Sequence, residues 1–184
     1  MAEIEHKLHE KVGELLDKYA NEKKLEAKLD KACGGKQQIP LFLDEKNREN
    51  NFCKVDAILI REKEVIAVIE IEESKDDPTI IFGKCFTTAM SNYYIGNEDN
   101  MKIWLAKFIQ IIDTKTLEKH SRKIEQFKLI EQEINKHLCG NVNSYKIIYV
   151  DGEKIKENDY ENKDFKEFKK EFYDALEGKS PASK

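Results

Sequence analysis

Arginine is scarce in this chain, and its scarcity limits what the protein can bind. Only three of the 32 basic residues are Arg, and 36 acidic residues outnumber the basic ones to give a formal net charge of -4. A mildly acidic chain is not a general polyanion binder. Few Arg side chains also argue against extensive bidentate readout of guanine. Any nucleic-acid contact must therefore come from a local basic surface.

Cysteine is also sparse and follows no metal-binding pattern. The four cysteines are widely scattered: Cys33, Cys53, Cys85 and Cys139. No CxxC pair or Cys/His cluster has the spacing of a zinc site. We therefore expect small buried thiols in a reducing compartment. The histidines lie in charged helical stretches, and we expect all four on the surface: His6, His9, His120 and His137.

Long apolar runs are absent. No run reaches the roughly 18 residues that a membrane span needs, and the charged N-terminus lacks the pattern of a secretory signal. We therefore expect a cytoplasmic protein with no membrane partner. The 40% hydrophobic content is enough for a sizeable core, while the charged fraction of 37% predicts a surface of solvated Lys and Glu. The length of 184 residues fits one domain.

The periodicity predicts a single α/β domain over residues 1–184, with an N-terminal helical segment over 1–35 and a disordered tail over 178–184. Asp77 and Pro78 are the residue types of a helix N-cap and first position. The helix they begin is apolar over most of its circumference, which predicts burial in the centre of the fold. A hairpin followed by alternating elements predicts a mixed central sheet flanked by helices. The further elements are strands over 39–43, 52–60, 65–71, 101–113 and 145–150, and helices over 79–94, 117–138 and 164–176.

The predicted hairpin carries acidic residues within apolar strands. Asp56 interrupts the first apolar run, and Glu70 and Glu72 end the second. Since strand side chains alternate between faces, Glu70 and Glu72 share one face. A turn centred on Lys63 would place Asp56 opposite Glu70, with Cβ atoms about 4.5 to 5.5 Å apart. The same register would place Lys54 opposite Glu72.

Carboxylates this close repel each other strongly unless a proton or a cation neutralises them. A hard divalent ion is the cation we expect, since Mg²⁺ commonly binds through one or two carboxylates and a substrate phosphate. Asp56, Glu70 and Glu72 are therefore candidate ligands for Mg²⁺, with Mn²⁺ as a substitute. The alternative is a solvated sheet edge, because Glu-x-Glu arises easily by chance in a chain with 36 acidic residues.

The order of elements and the pattern of Asp56, Glu70 and Glu72 resemble the restriction-endonuclease-like superfamily, the PD-(D/E)XK nucleases. In that family an acidic residue on one core strand is followed by (D/E)-x-K at the end of the next. Asp56 matches the first acid, and Glu70-Ile71-Glu72 matches the second motif. Glu72 stands where Lys is usual, as in family variants that end in E-x-E. The resemblance extends over roughly residues 39–150 and implies Mg²⁺-dependent hydrolysis of DNA phosphodiester bonds.

The resemblance also implies roles for these residues. Asp56 and Glu70 would hold the metal, and Glu72 would bind metal or orient the nucleophile. A nearby Lys would stabilise the negative charge of the transition state. DNA is the implied partner, and a homodimer is left open. Because the usual motif Lys is absent, the alternative function is a non-catalytic nucleic-acid-binding or assembly module with a degenerate nuclease fold.

Lys84 is the candidate for the missing catalytic Lys. On the predicted helix, Lys84, Thr88 and Ser91 form a polar stripe at i, i+4 and i+7, and some family members carry a displaced Lys on this helix. Replacement of Lys84 is then expected to slow cleavage and to leave metal affinity nearly intact. The alternative is a structural lysine that extends from the helix edge to solvent.

Other residues have weaker claims to a functional role. Lys54 and Lys75 are alternatives to Lys84. Glu14, on the first helix, could match an accessory helical acid found in the family. Six aromatic residues fit core positions better than base-stacking platforms: Phe82, Phe86, Tyr93, Trp104, Phe108 and Phe127.

Overall fold

The protein is described from a computed structural model, in which the described residues are 7–44, 51–73, 77–96, 100–117, 121–138, 140–156 and 162–178. The α-helices within these ranges are α1 (Lys7–Lys23), α2 (Pro78–Met90), α3 (Ser121–His137), α4 (Gly152–Lys156) and α5 (Lys163–Glu177). The strands are β1 (Glu26–Leu29), β2 (Ile39–Phe42), β3 (Asn51–Val55), β4 (Ala57–Arg61), β5 (Glu64–Glu72), β6 (Tyr93–Ile95), β7 (Asn100–Asp113) and β8 (Val142–Val150). None of these helices is long and apolar enough to cross a membrane. Four residues named above lie outside the described ranges: His6, Lys75, His120 and Cys139.

The strands form one mixed sheet, which confirms the predicted α/β class. Its order is β1-β4-β5-β7-β6-β2-β3, and β8 also pairs with β7. The pairs β5–β7 and β7–β8 are parallel, whereas the β4–β5 hairpin and the other pairs are antiparallel. The carboxyl ends of β5, β7 and β8 therefore meet at one edge of the sheet, which is where open α/β sheets commonly place their functional residues.

Apolar side chains pack on both faces of this sheet. On one face, alternate residues of the central strands, such as Ile69 and Ile109, pack with residues of α1 and α5. On the other face, Val68 and Phe108 pack with residues of α2 and α3. Because strand side chains alternate, the acids two and four residues after Val68 point toward the face that α2 covers.

The N-terminal segment is helical only in its first part. Lys24 adopts a φ of 57°, in the left-handed region that does not continue an α-helix, and the Leu25 N–H donates back to the Ala20 carbonyl at 2.8 Å. The chain then forms β1, which pairs with β4. The prediction of a helix continuing to Gly34-Gly35 is therefore wrong, because the open edge of β4 supplies these backbone groups with partners.

Helix α2 begins as predicted but is less buried than predicted. The Asp77 side chain accepts a hydrogen bond from the Thr79 N–H, and Pro78 opens the helix. The helix ends at Met90, and of the residues predicted to continue it, Tyr93 and Tyr94 lie in β6 instead. Ile80, Phe86 and Met90 are exposed, because α2 lies on one face of the sheet and only its inward side is covered. The core position predicted for Phe86 is thus wrong.

Strand β7 is central, as predicted, but a bulge turns two of its large side chains to solvent. It contains two residues more than the stretch of β5 that it pairs with. Leu105 adopts a φ of 52°, and both Trp104 and Leu105 are exposed. The core position predicted for Trp104 is therefore wrong, whereas Phe108 and Phe127 are buried as predicted.

Candidate acidic site

The β4–β5 hairpin has the predicted register over its centre. Ile58 lies opposite Val68, and Leu59 lies opposite Ala67. Beyond Leu59 a bulge shifts the pairing by one residue. The bulge lies on the turn side of the hairpin, so it leaves the register near the acidic residues unchanged.

The first strand of the predicted hairpin is interrupted at Asp56. β3 ends just before this residue and β4 begins just after it. β3 pairs with β2, so Lys54 lies opposite Pro40 and is exposed. The prediction that Lys54 faces Glu72 is therefore wrong, because the chain bends at Asp56 and leaves the β5 ladder.

Asp56 nevertheless lies beside the end of β5. Its Oδ2 accepts a hydrogen bond from the Ile71 N–H at 2.7 Å, which places the carboxylate next to the peptide bond that joins Glu70 and Ile71. Burial raises the pKa of Asp56, and the opposing effects of His9 and the Ile71 N–H do not cancel that rise. The bend thus holds a partly desolvated carboxylate at the acidic end of the hairpin.

Glu70 and Glu72 are both buried and both contact Lys84. The Lys84 ammonium donates a hydrogen bond to Glu70 Oε2 at 2.7 Å and lies 2.6 Å from Glu72 Oε1. The second contact is an ion pair without hydrogen-bond alignment, since Glu72 Oε1 has no hydrogen-bond partner among the described residues. Glu70 Oε1 also lacks one. Each carboxylate therefore keeps a buried oxygen with unused accepting capacity.

The electrostatics show that one lysine does not neutralise this cluster. Burial alone would lower the pKa of Lys84, but Glu70 and Glu72 outweigh burial and raise it, so the ammonium stays charged. Burial and the charge of Asp56 raise the pKa of Glu70 well above its usual value, even though Lys84 opposes them. Burial and the neighbouring acids thus disfavour the ionised form of Glu70, which an additional cation would stabilise.

His9 is a site residue that the sequence reasoning missed. It is buried, with Nδ1 3.0 Å from Glu73 Oε2 and Nε2 3.7 Å from Asp56 Oδ2. Glu73 Oε1 accepts a hydrogen bond from the Leu8 N–H, so Glu73 also holds the first turn of α1. The surface position predicted for His9 is therefore wrong, whereas His137 is exposed as predicted. The helical spacing of α1 alone carries no signal that its polar edge meets the acids.

A buried polar pair lies behind Glu70. Gln110 of β7 is the register neighbour of Glu70, and its Oε1 accepts a hydrogen bond from the Tyr145 hydroxyl at 2.7 Å. Its Nε2 donates to the Ile81 carbonyl of α2 at 3.2 Å. Gln110 therefore ties the helix that carries Lys84 to the centre of the sheet. The sequence carries a signal for a buried polar contact here, because Gln110 interrupts an apolar run.

The remaining candidates that lie within the described ranges do not contact Glu70 or Glu72. Glu14 pairs with Lys11 at 2.9 Å. Thr88 is fully buried, and the Ser91 hydroxyl donates to the Thr87 carbonyl at 2.9 Å. The predicted polar stripe on α2 thus contributes only Lys84 to the site.

The donor set suits Mg²⁺ better than a metal that requires a complete protein cage. Among the described residues, no three or more His, Cys, Asp and Glu side chains form a group that could hold a metal ion by themselves. Mg²⁺ keeps several waters and is usually held by one or two carboxylates with substrate phosphates. Glu70 Oε1, which has no hydrogen-bond partner among the described residues, and Glu72 Oε1, which is paired with Lys84, are oxygens of that kind. The residues present therefore fit Mg²⁺, with water or substrate oxygens completing its coordination.

Comparison with known proteins gives no relative: no family model, no curated protein and no solved structure matches this chain. The function must therefore be argued from the site alone.

Proposed function

We propose that the protein is a Mg²⁺-dependent nuclease of restriction-endonuclease-like fold that hydrolyses DNA phosphodiester bonds. One observation carries the proposal: Lys84 is directed at two buried carboxylates, Glu70 and Glu72, beside a third at Asp56. Buried charges are costly, and a core of this size does not need them for stability. Carboxylates that can hold a metal, with a cation beside them to stabilise negative charge, suit metal-assisted phosphoryl chemistry.

Asp56 and Glu70 would hold the cation, with Glu72 as a further oxygen ligand. When bound, Mg²⁺ supplies Lewis-acid polarisation of the phosphate and a lowered pKa for an attacking water. The Ile71 N–H orients Asp56 through its hydrogen bond to Oδ2. His9 Nε2 lies 3.7 Å from the same oxygen, and supporting contacts of this type fix the orientation of ligating carboxylates.

Lys84 would act on the substrate. Its side chain is 30% exposed, whereas those of Glu70 and Glu72 are 2% and 6% exposed. An anion arriving from solvent therefore meets the ammonium before it meets the acids. An ammonium group in a partly dry site can stabilise negative charge that develops on a phosphoryl oxygen.

A non-catalytic module is the second candidate, and one observation favours it. Lys84 already contacts both acids, so the cluster has an internal counterion without any metal. A buried ion-pair cluster can persist as part of the architecture of a binding or assembly protein. If the protein is such a module, divalent ions should neither bind at the acidic site nor raise the stability of the protein.

Two measurements on the purified protein separate the candidates. Calorimetry should detect stoichiometric Mg²⁺ or Mn²⁺ binding that Asp56→Ala removes. Plasmid and linear DNA should be cleaved with Mg²⁺ or Mn²⁺ but not with chelator. Absence of both metal binding and cleavage would favour the non-catalytic module.

A further inference from the structure

Lys84 lies on the same carboxylates that the proposed metal would use. Its ammonium is 2.7 Å from Glu70 Oε2 and 2.6 Å from Glu72 Oε1. A divalent cation bound to the same carboxylates would lie within a few ångströms of the ammonium, where like charges repel strongly in a poorly solvated site. Metal and lysine therefore compete for Glu70 and Glu72.

Charge balance indicates where the lysine goes. A divalent cation on Glu70 and Glu72 takes the counterions of the Lys84 ammonium, which then lies unpaired beside a second cation. A phosphodiester group carries one negative charge, so its arrival beside Lys84 gives the ammonium a new counterion.

The surroundings of Lys84 allow such a movement. The side chain is 30% exposed, and lysine has a flexible four-carbon stem. Its neighbour Gly83 faces open space, since a Cβ at that position would meet nothing within 4 Å. The acids, in contrast, are held on a central strand that is paired on both sides. The lysine is thus the mobile partner and the acids are the fixed ones.

We propose, resting on the proposed nuclease function, that Lys84 is an exchangeable counterion: it neutralises Glu70 and Glu72 in the metal-free protein and transfers to a phosphodiester when a divalent cation takes its place. Metal and phosphodiester then bind cooperatively. By linkage, each raises the affinity of the other by the same factor. This replaces the sequence-based expectation that metal affinity is independent of Lys84.

The chain supplies a matched control in Lys146. Its ammonium also lies between two glutamates, 3.8 Å from Glu131 and 3.2 Å from Glu171, and its side chain is 29% exposed. It belongs to β8 and contacts none of the proposed ligands. Lys146→Met therefore removes a lysine of similar exposure that also pairs with two glutamates, and it leaves the acidic site unchanged.

The test is calorimetric titration of Ca²⁺, which takes the same oxygen ligands, with and without a short DNA duplex carrying phosphorothioate linkages. In wild type the duplex should tighten Ca²⁺ binding about tenfold, within the range of typical couplings. Lys84→Met should bind Ca²⁺ more tightly than wild type without the duplex and should lose the coupling. Lys146→Met should behave as wild type.

A second measurement uses the wild-type fold, in case Lys84→Met does not fold. Lysine ¹⁵N resonances are followed by NMR, and Lys84→Arg identifies the Lys84 signal. Ca²⁺ should shift the Lys84 signal, and the duplex should shift it further, while the Lys146 signal stays in place.

The outcomes that contradict the exchange differ from those that contradict the proposed function. Ca²⁺ binding by wild type that is unchanged in Lys84→Met, or a Lys84 resonance that ignores Ca²⁺, overturns the exchange and leaves the nuclease proposal standing. Absence of Ca²⁺ binding in wild type and Lys84→Met alike overturns both.

Discussion

Burial of charge sets the acidic site apart from most of this Glu-rich chain, in which Asp113 is a further buried carboxylate. Counted over the whole residue, Glu70 and Glu72 are 1% and 4% exposed, although most of the described acidic residues face solvent, as is usual for carboxylates. Each buried carboxylate costs several kcal/mol unless partners compensate it. The partners are Lys84 for these two residues, and the Ile71 N–H and His9 for Asp56.

Asp56→Asn should remove the response of the protein to metal and stabilise the metal-free form. Burial raises the pKa of Asp56. As the pH rises through that pKa, Asp56 becomes charged in the folded protein and the free energy of unfolding falls. Asn is never charged, so the variant does not lose this stability. We therefore expect a higher free energy of unfolding for the variant in chelator at neutral pH. In wild type alone, Mg²⁺ should raise the melting temperature, because the metal binds only the folded state. An equal rise in both proteins would contradict the site.

The thiol of Cys85 should be nearly inert in the folded protein. It is buried, and burial raises its pKa to about 12. Since the thiolate is the reactive species, alkylation by iodoacetamide at mildly alkaline pH should be far slower in the native protein than in urea. Mass mapping of the labelled peptide would check this, and rapid native labelling of Cys85 would show that α2 is not packed as described.

Individual elements show what the sequence could predict and what it could not. The centre of the β4–β5 hairpin follows from alternation of apolar side chains, and there the predicted register is confirmed. The β1–β4 pair joins segments that are separated along the chain, which leaves no local signal, so it was not predicted. The β2–β3 pair was not predicted because the apolar run over 52–60 reads as one strand, whereas its first part pairs with β2. The burial of His9 depends on the docking of α1 against Glu73, which is equally non-local.

His9→Ala should weaken the docking of α1 against the end of β5. The change leaves Glu73 and Asp56 without their shared partner, and a buried polar group that loses its partner costs about 1–3 kcal/mol. Urea denaturation of the metal-free protein would measure the loss. His137→Ala is the control, because His137 is exposed and pairs only at the surface with Glu133. Its effect should stay within about 0.5 kcal/mol.

Tyr145→Phe should destabilise the sheet behind the site, whereas Tyr149→Phe should not. The Tyr145 hydroxyl donates to Gln110 Oε1 within the core, so its loss strands a buried acceptor at a cost of about 1–3 kcal/mol. The Tyr149 hydroxyl is buried without a hydrogen-bond partner among the described residues, so its removal should be neutral or stabilising. Equal losses in the two variants, measured by urea denaturation, would show that the Gln110 contact contributes nothing.

The acidic site lies at the carboxyl edge of a mixed sheet, in a chain whose net charge is negative. Nucleic-acid binding therefore tests the nuclease proposal at the scale of the whole molecule. With 36 acidic and 32 basic residues, and only three Arg among the latter, affinity for DNA must rest on local lysines. Binding should then fall steeply as salt rises and should be largely independent of DNA sequence. Fluorescence anisotropy over a salt series would measure this. Absence of DNA and RNA binding at low salt with metal present would favour an assembly role.

At this scale the sequence predicted the class of fold and the strand edge that carries the acids. It did not predict that α2 leaves one face exposed or that β7 bulges at Trp104 and Leu105, because both depend on how the layers meet. Nuclease activity and metal binding remain predictions from the residues themselves.

The most direct test of the account is the single-turnover cleavage rate of supercoiled plasmid with Mg²⁺ by wild type, Glu70→Gln and Lys146→Met. Glu70→Gln keeps the shape of the side chain and removes a carboxyl group whose pKa is already raised by burial. The variant should therefore fold. We expect Glu70→Gln to cleave at least about a hundredfold more slowly, Lys146→Met to match wild type, and chelator to abolish cleavage in all three. Cleavage by Glu70→Gln at the wild-type rate would contradict the assignment of the acidic site as the catalytic centre.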